Sequence, residues 1–455
     1  MPIFERRSVM PAPAEEVFAY HARPGAFGRL VPPWSRVRLL DESGDLSGGS
    51  IVFDVRVGPV RRRWVGETGS ALPGAQFVDR QVEGPFASWE HVHRFVPVDA
   101  GHSELVDHVE YRLPAGDLTD LVAERAVGRV LTRAFRFRHE RTRLDLERHA
   151  VWADRPRITV AIAGASGLIG SHLADYLTTA GHRVMKLVRG GEAGPGEVSW
   201  DPSTGTLDHV VLEGVDAVVN LSGASLAGVW TARRRREILE SRVGATRTLA
   251  EAIARMDRPP AVFVSASAVG AYGSRGGEAV TEQTSRGDGF LAEVCRAWEE
   301  AAGPARDAGV RLVTPRFGLV MSAAGGALAA MLPAFRMGLG GRIGDGRQYW
   351  AWIALDDLLA ALEWVIHDDA LAGPVNMTSP EPLTNAAVTK TLGAVLSRPA
   401  VLAAPAALVR HGTLGMGEEM LLAGVRAVPA LLNAVGFPFA FPRLEAALRY
   451  ELGRP

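Results

Sequence analysis

Residues 160–177 read VAIAGASGLIGSHLADYL: an apolar strand-like run, three glycines spaced by three, and an amphipathic helical stretch. Each glycine has a physical task in that order. Gly164 permits a tight turn, Gly167 lets backbone amides approach a pyrophosphate with no side chain in the way, and Gly170 allows close helix–strand packing. The turn Gly164, Ser166, Gly167, Leu168, Ile169 and Gly170 is therefore a candidate cofactor cradle. A glycine-rich turn without nucleotide would show the same residues, but the strand–turn–helix context points to a dinucleotide. The next apolar run, HRVMKLVRG, bears on which one. An acidic residue at its end would hold the adenosine ribose hydroxyls. Arg189 stands there instead, 19 residues after Gly170. A guanidinium grips a 2′-phosphate bidentately, so NADP is expected in preference to NAD.

The surrounding pattern supplies the elements that position these residues. After Arg148 and the linker AVWADRP, near-continuous apolar runs alternate with helical stretches, which predicts a doubly wound parallel sheet of the α/β class. Residues 1–150 differ. Ile51, Phe53, Val55 and Val57 alternate with polar positions, as do Trp89, His91, His93 and Phe95, which is the period of half-buried antiparallel strands. A short helix is expected over Ala14 to Tyr20. A long one is expected from near Leu118, with Val127, Val130, Leu131, Ala134 and Phe135 on its apolar face. His91 and His93 have no third ligand at a telling spacing, so no metal site is expected. From about residue 401 an Ala-rich, proline-punctuated tail predicts a small helical appendage. Three domains follow: 1–150, 157–400 and 401–455.

Composition narrows the partners. With 455 residues, 47% hydrophobic and 22% charged, the chain has ample material for more than one core. Lys plus Arg number 50 against 51 Asp plus Glu, so no global field favours nucleic acid or an anionic membrane, and a small-molecule substrate is expected. Cys295 is the only cysteine, which excludes an intramolecular disulfide and fits a reducing compartment. Together with the lack of an apolar signal core or membrane span, this predicts a cytoplasmic protein. Only two of the basic residues, Lys186 and Lys390, are lysines.

The N-terminal order of strand, short helix, antiparallel strands and long helix resembles the helix-grip fold of START-like, polyketide-cyclase-like (SRPBCC) ligand-binding domains. That resemblance implies an apolar cavity with Trp89, His91, His93 and Phe95 on one face, and a hydrophobic ligand. From residue 157 the chain resembles the extended short-chain dehydrogenase/reductases, in their sugar-nucleotide-epimerase-like branch. The GxxGxxG spacing, DAVVNLSG, VSASAVGAYG and TPRFGLVM carry the likeness. It implies that Leu221, Ser222, Gly223 and Pro315 lie beside the cofactor, that Ser267 is the catalytic serine, and that Arg316 borders the substrate. The segments SWDP, FLAEVCRAWEE and GLGGRIGDGRQYWAWI and the Ala-rich tail look like one atypical bacterial subgroup. Its members carry a small C-terminal domain of unassigned role, and some have a fused N-terminal SRPBCC domain. In the loop GLGGRIGDGRQYWAWIALDD, Arg342, Arg347, Gln348, Tyr349 and Trp352 lie where relatives place substrate contacts. The same run also reads as a solvated turn before a helix favoured by Asp356 and Asp357.

The family pattern breaks at the proton donor. Ordinary members use Tyr-x-x-x-Lys, in which lysine lowers the tyrosine pKa. None of the six tyrosines here has lysine four residues later; Phe290 with Val294, or Leu291 with Cys295, occupies the place of the pair. Tyr272 and Glu282 are the substitute acid/base candidates near Ser267, and Cys295 reads as a buried apolar residue. The expected function is an atypical NADP-dependent oxidoreductase or nucleotide-sugar-epimerase-like enzyme. The alternatives are a non-catalytic sensor of NADP(H) and a hydrophobic ligand, or a structural partner of another enzyme. Substrate and oligomeric state stay open.

Overall fold

The computed structural model describes residues 2–35, 37–57, 60–114 and 120–455. They form two compact units: Met1–Pro156 with the short segments Asp175–Gly181 and Tyr450–Pro455, and Arg157–Ala174 with His182–Arg449.

In the first unit, seven strands form one antiparallel sheet. They are β1 (Ile3–Met10), β2 (Arg38–Ser43), β3 (Ser50–Val57), β4 (Val60–Leu72), β5 (Gln76–Glu83), β6 (Ser88–Pro97) and β7 (Ser103–Arg112), in the order β1-β7-β6-β5-β4-β3-β2. Helices α1 (Ala14–Ala22) and α2 (Ala26–Leu30) follow β1, and the 31-residue α3 (Asp120–Ala150) follows β7. The expected start of that helix near Leu118 lies outside the described residues. Alternation in β6 puts His91, His93 and Phe95 in the interior with Trp89 half-buried beside them, and the His91 ring meets Phe135 of α3 edge-on at 5.2 Å. Leu131 and Phe135 pack with Val127 against Val109 and Tyr111, which is the i, i+4, i+8 stripe of one helix face. Val130, expected on that face, is 65% exposed because it falls one residue off the stripe. The pleat also brings together residues far apart in sequence: Asp79 of β5 pairs across from His91, and Asp107 of β7 from His93.

The second unit is built on a parallel sheet. Its strands include β8 (Thr159–Ala163), β9 (Arg183–Arg189), β10 (Glu197–Trp200), β11 (Ala217–Asn220), β12 (Val262–Ser265), β13 (Ser267–Ala268) and, after the short β14 (Ala279–Val280), β15 (Arg311–Phe317). The order is β10-β9-β8-β11-β12-β15-β13, and strand Gly373–Met377 adds to β15. β11 and β12 are buried at every position, so their runs are apolar throughout rather than alternating. Helices α4 (Leu168–Thr179), α5 (Ala232–Ala254) and α6 (Phe290–Ala301) include the connections. The chain reverses direction across the sheet between β8 and β11, and ligands of open α/β sheets bind beyond the strand ends at such a point. The tail contributes helices Ala406–Thr413, Ala430–Ala434 and Leu444–Glu451, and also two short strands. Leu402–Ala404 pairs with Gly341–Ile343, and Arg426–Ala427 with β14. No helix among the described residues is long and apolar enough to cross a membrane.

Candidate functional site

The turn after β8 is shaped by backbone contact. Gly164 has φ +82°, and a Cβ there would lie 2.7 Å from the Leu221 backbone. A Cβ on Gly170 would lie 2.2 Å from the Gly164 carbonyl oxygen, whereas one on Gly167 would meet only that oxygen, at 3.3 Å. Gly164 and Gly170 are thus bare because backbone packs on them. Gly167 and Ser166 are exposed and open into a cleft of about 1190 Å³. Its walls include Arg189, Leu221, Ser222 and Gly223, together with Ser241 and Gly244 of α5. This is a cradle that a nucleotide backbone fits and a side chain would fill, at the N-terminus of α4. Leu168 and Ile169 open that helix; they do not line the cleft, and Leu168 instead borders Gly325. Pro315 is buried in β15, across from Val375. Lys186, which sequence reasoning did not single out, lines the cleft along with Arg189 at the far end of β9. Its rarity in an arginine-rich chain was the available signal.

Ser267, Tyr272, Glu282 and Arg316 stand outside the walls of that cleft and form a second constellation. The Ser267 hydroxyl donates to Glu299 Oε1 at 2.7 Å. Arg316 holds the same carboxylate with two bonds, Nε to Oε1 at 2.9 Å and Nη2 to Oε2 at 3.0 Å, and Arg286 Nη2 adds a third at 2.6 Å. Burial alone would raise the Glu299 pKa, but hydrogen bonds and charge from Arg316, with further bonds from Arg286 and Ser267, bring it below its ordinary value. Glu299 is therefore a carboxylate at neutral pH. Sequence reasoning missed it, although it lies one helical turn beyond Cys295 on α6.

Arg316 also covers the Tyr272 ring at 4.8 Å. Tyr272 is fully buried and its hydroxyl donates to Asn376 Oδ1 at 2.7 Å; burial pushes its pKa up, which makes it a weak acid. Glu282 Oε1 accepts from the backbone amides of Asn376 and Leu431 at 3.0 and 3.3 Å, and so ties the tail to the sheet. Cys295 lies against the Ala268 carbonyl, and burial, assisted by the Glu299 charge, pushes its thiol up to about 11.

The loop residues are dispersed. Arg342 is exposed on the strand Gly341–Ile343, and the Arg347 amide donates to Asp345 in a local turn. Gln348 bonds the Ile343 and Leu421 carbonyls, and the Tyr349 ring lies 5.2 Å from the Arg426 guanidinium. Trp352 is fully buried and donates to the Glu381 carbonyl, which supports the loop from within the core rather than from a substrate-facing surface. Arg316, 3% exposed, is likewise engaged by Glu299 and is not a free clamp.

Comparison with known proteins agrees with this architecture. Residues 160–377 match the NAD dependent epimerase/dehydratase family, residues 10–136 match polyketide cyclase / dehydrase and lipid transport, and residues 404–451 match a domain of unknown function, DUF1731. An epimerase family protein of Mycobacterium bovis is 43% identical over 297 residues, covering 65% of this chain and 98% of that protein. The crystal structure of a nucleoside-diphosphate sugar epimerase from Corynebacterium glutamicum superposes with a TM-score of 0.81 at 34% identity, covering 99% of this chain and 90% of the other. The human epimerase family protein SDR39U1, solved with NADPH, gives 0.60 at 33% identity over 64% of this chain and 98% of its own. A likeness of this extent, over a glycine turn and sheet order built for a dinucleotide, makes the chain a member of the NAD dependent epimerase/dehydratase family, an NAD(P)-binding protein with a polyketide-cyclase-like domain at its N-terminus.

Proposed function

We propose that the chain is an atypical NADP(H)-dependent oxidoreductase or epimerase-like enzyme acting on a small molecule, with Ser267 and Glu299 in place of the tyrosine–lysine pair. The observation that carries this reading is the 2.7 Å bond from the Ser267 hydroxyl to Glu299. Since Ser267 spends its one proton on Glu299, its lone pairs are left to accept a hydrogen bond from a substrate hydroxyl. Proton transfer from that hydroxyl to Ser267 Oγ, with the serine proton passing to Glu299 Oε1, would relieve an alcohol of its proton as its carbon loses hydride. Bound NADP(H) supplies the hydride acceptor or donor. Gly164, Gly167, Ser222 and Gly223 would hold the cofactor's phosphate backbone, and Arg189 and Lys186 its 2′-phosphate. NADPH bound to the human relative supports that preference. The N-terminal domain is assigned a hydrophobic ligand on the strength of its family likeness.

A second reading, a non-catalytic NADP(H)-responsive binding protein, is favoured by a specific observation: Ser267 is only 1% exposed and two arginines hold its partner carboxylate. One experiment separates the two. NADPH affinity is measured by fluorescence titration, and redox turnover, in both directions, over a panel of alcohols, carbonyls and nucleotide sugars. For an enzyme, Ser267→Ala and Glu299→Gln lower turnover by about 10²–10⁴-fold at nearly unchanged NADPH affinity. For a binding protein no substrate turns over, and Gly167→Val alone abolishes the NADPH response. Ordinary turnover in Ser267→Ala refutes the assigned relay.

A further inference from the structure

The interior of the N-terminal sheet holds a group of charged and imidazole side chains with no role in the nucleotide site. Asp79, His91, His93, Asp107 and His139 come from three neighbouring strands and α3. The spacing of His91 and His93 offers no third ligand; strand register supplies it, by setting Asp79 across from His91.

The proton inventory is informative. Asp107 lies 2.9 Å from His91 Nε2 and 2.8 Å from His93 Nδ1 through Oδ1, and 2.7 Å from His139 Nε2 through Oδ2. Asp107 Oδ1 lies in hydrogen-bond geometry with His91 Nε2 and its Oδ2 with His139 Nε2, and a carboxylate there accepts from both rings. His91 Nε2 and His139 Nε2 then carry hydrogen, whereas His93 Nδ1, although close to Asp107, has no hydrogen-bond geometry with it. The other nitrogen of His91, Nδ1, faces Asp79 Oδ2 at 3.7 Å, beyond hydrogen-bond distance, while His93 Nε2 is 3.0 Å from the same oxygen. Ligand atoms from Asp79, His91 and His93 all lie within 4.8 Å of one another. Two imidazole nitrogens and one carboxylate oxygen thus converge on one point. A proton on His93 Nε2 joins only that ring to Asp79, whereas a metal ion would engage all three atoms.

We propose that Asp79, His91 and His93 bind one divalent transition-metal ion of the zinc type, with Asp107 as the carboxylate that fixes the His91 ring from behind and lies close to that of His93. Two nitrogens and one carboxylate oxygen are the ligand chemistry of zinc and its neighbours in the transition series. Bond lengths near 2.0–2.1 Å place tetrahedral ligand atoms about 3.4 Å apart, between the two separations observed here. A carboxylate behind a ligating histidine is the usual outer partner, which sets the tautomer that leaves the lone pair on the metal side. The histidine side chains are 4% and 1% exposed and Asp79 is 34% exposed, which provides an entry route. Three protein ligands leave one coordination position open, as in sites that take a water or a ligand rather than in closed structural ones. The other buried His/Glu group, His182, Glu363 and His367, differs in one respect. His182 Nδ1 accepts the Ile158 amide, which puts the neutral ring's proton on Nε2, where it already meets Glu363 at 3.4 Å.

The test uses the untagged full chain, stripped with chelator and dialysed. Co²⁺ is titrated by visible absorption and Zn²⁺ by calorimetry. One ion per chain is expected, with ligand-field bands of low coordination number and a raised melting temperature with Zn²⁺. Asp79→Asn, at a position one-third exposed, and His93→Ala should weaken binding at least 100-fold. Asp107→Asn should weaken it by about 10–100-fold, and His182→Ala should leave it unchanged. Failure of the unmodified chain to bind a stoichiometric ion overturns the proposal, and so does binding that Asp79→Asn leaves intact.

Discussion

Glu299→Gln is a substitution that the geometry of the second unit makes costly. Each carboxylate oxygen accepts two hydrogen bonds: Oε1 from Ser267 and Arg316 Nε, Oε2 from Arg316 Nη2 and Arg286 Nη2. Whichever way the amide is turned, its NH₂ faces two donors. Arg316, whose side chain is 4% exposed, keeps its charge with no carboxylate beside it, while Arg286, at 37%, can turn to water. Only the Arg316 share carries the full penalty. Removing one partner of a buried ion pair costs about 3–5 kcal/mol. For a unit of this size about 2 °C is lost per kcal/mol, so the melting temperature should fall by about 6–10 °C. The pH dependence has a definite sign. The folded Glu299 pKa lies below its ordinary 4.5, so the stabilisation is fully present above pH 4.5 and fades as pH falls through the folded value. The gap between the unmodified chain and Glu299→Gln should therefore close in acid. A double variant, Glu299→Leu with Arg316→Met, should be more stable than the sum of its single variants, because it removes both buried charges where each single variant strands one. Thermal melts from pH 3.5 to 7.5 read all of this. A melting temperature for Glu299→Gln within 2 °C of the unmodified chain at pH 7 would refute the claim that this carboxylate neutralises Arg316.

Arg189→Ala should lower NADPH affinity by about 1.5–3 kcal/mol with little change for NADH, and Lys186→Ala should act in the same direction; equal affinities of the unmodified chain for both nucleotides in calorimetry would defeat the assignment. Cys295, with its thiol pushed up to about 11, has only about one thiolate in a thousand at pH 8, so a disulfide reagent should modify it only as fast as the unit opens; rapid stoichiometric labelling of the native chain would contradict its burial. Residues 1–156, which hold their own sheet and long helix, should fold when expressed alone and melt cooperatively by circular dichroism; an unfolded fragment would place the boundary elsewhere.

What the sequence discloses follows from how far apart the interacting residues lie. The nucleotide cradle is legible because strand, glycine turn and helix are contiguous, and because a Cβ on Gly164 or Gly170 meets backbone. The parallel sheet is legible because strands covered on both faces lose their alternation. Glu299 is illegible because its partner Ser267 is 32 residues earlier, and only the packing of α6 on the sheet brings them together. The same holds in the N-terminal sheet: the two-residue spacing of His91 and His93 shows one strand face, whereas Asp79 and Asp107 join it through register, which no local pattern encodes. Tyr272 and Glu282 were sensible candidates by residue type and nearness to the serine. Their hydrogen bonds to Asn376, and that of Glu282 to the Leu431 amide, give them fixed structural work as well.

In the proposed relay, where Ser267 and Glu299 take the place of a tyrosine–lysine pair, the site rests in a different protonation state. A tyrosine beside lysine rests with a proton to give. Glu299, held by Arg316 and Arg286, rests without one, and the serine proton already points at it. A site of this kind takes a proton from a hydroxyl more readily than it supplies one to a carbonyl. In the carbonyl-reducing direction the proton must come from water or from the substrate itself. Alcohol oxidation with NADP⁺ should therefore gain from rising pH only up to the range where Glu299 is ionised, and lie flat through neutrality. A tyrosine-based relay would instead show a rise near its own pKa. A pH–rate profile of oxidation that climbs steadily between pH 6 and 9, and keeps that climb in Glu299→Gln, would transfer the proton-accepting role away from Glu299.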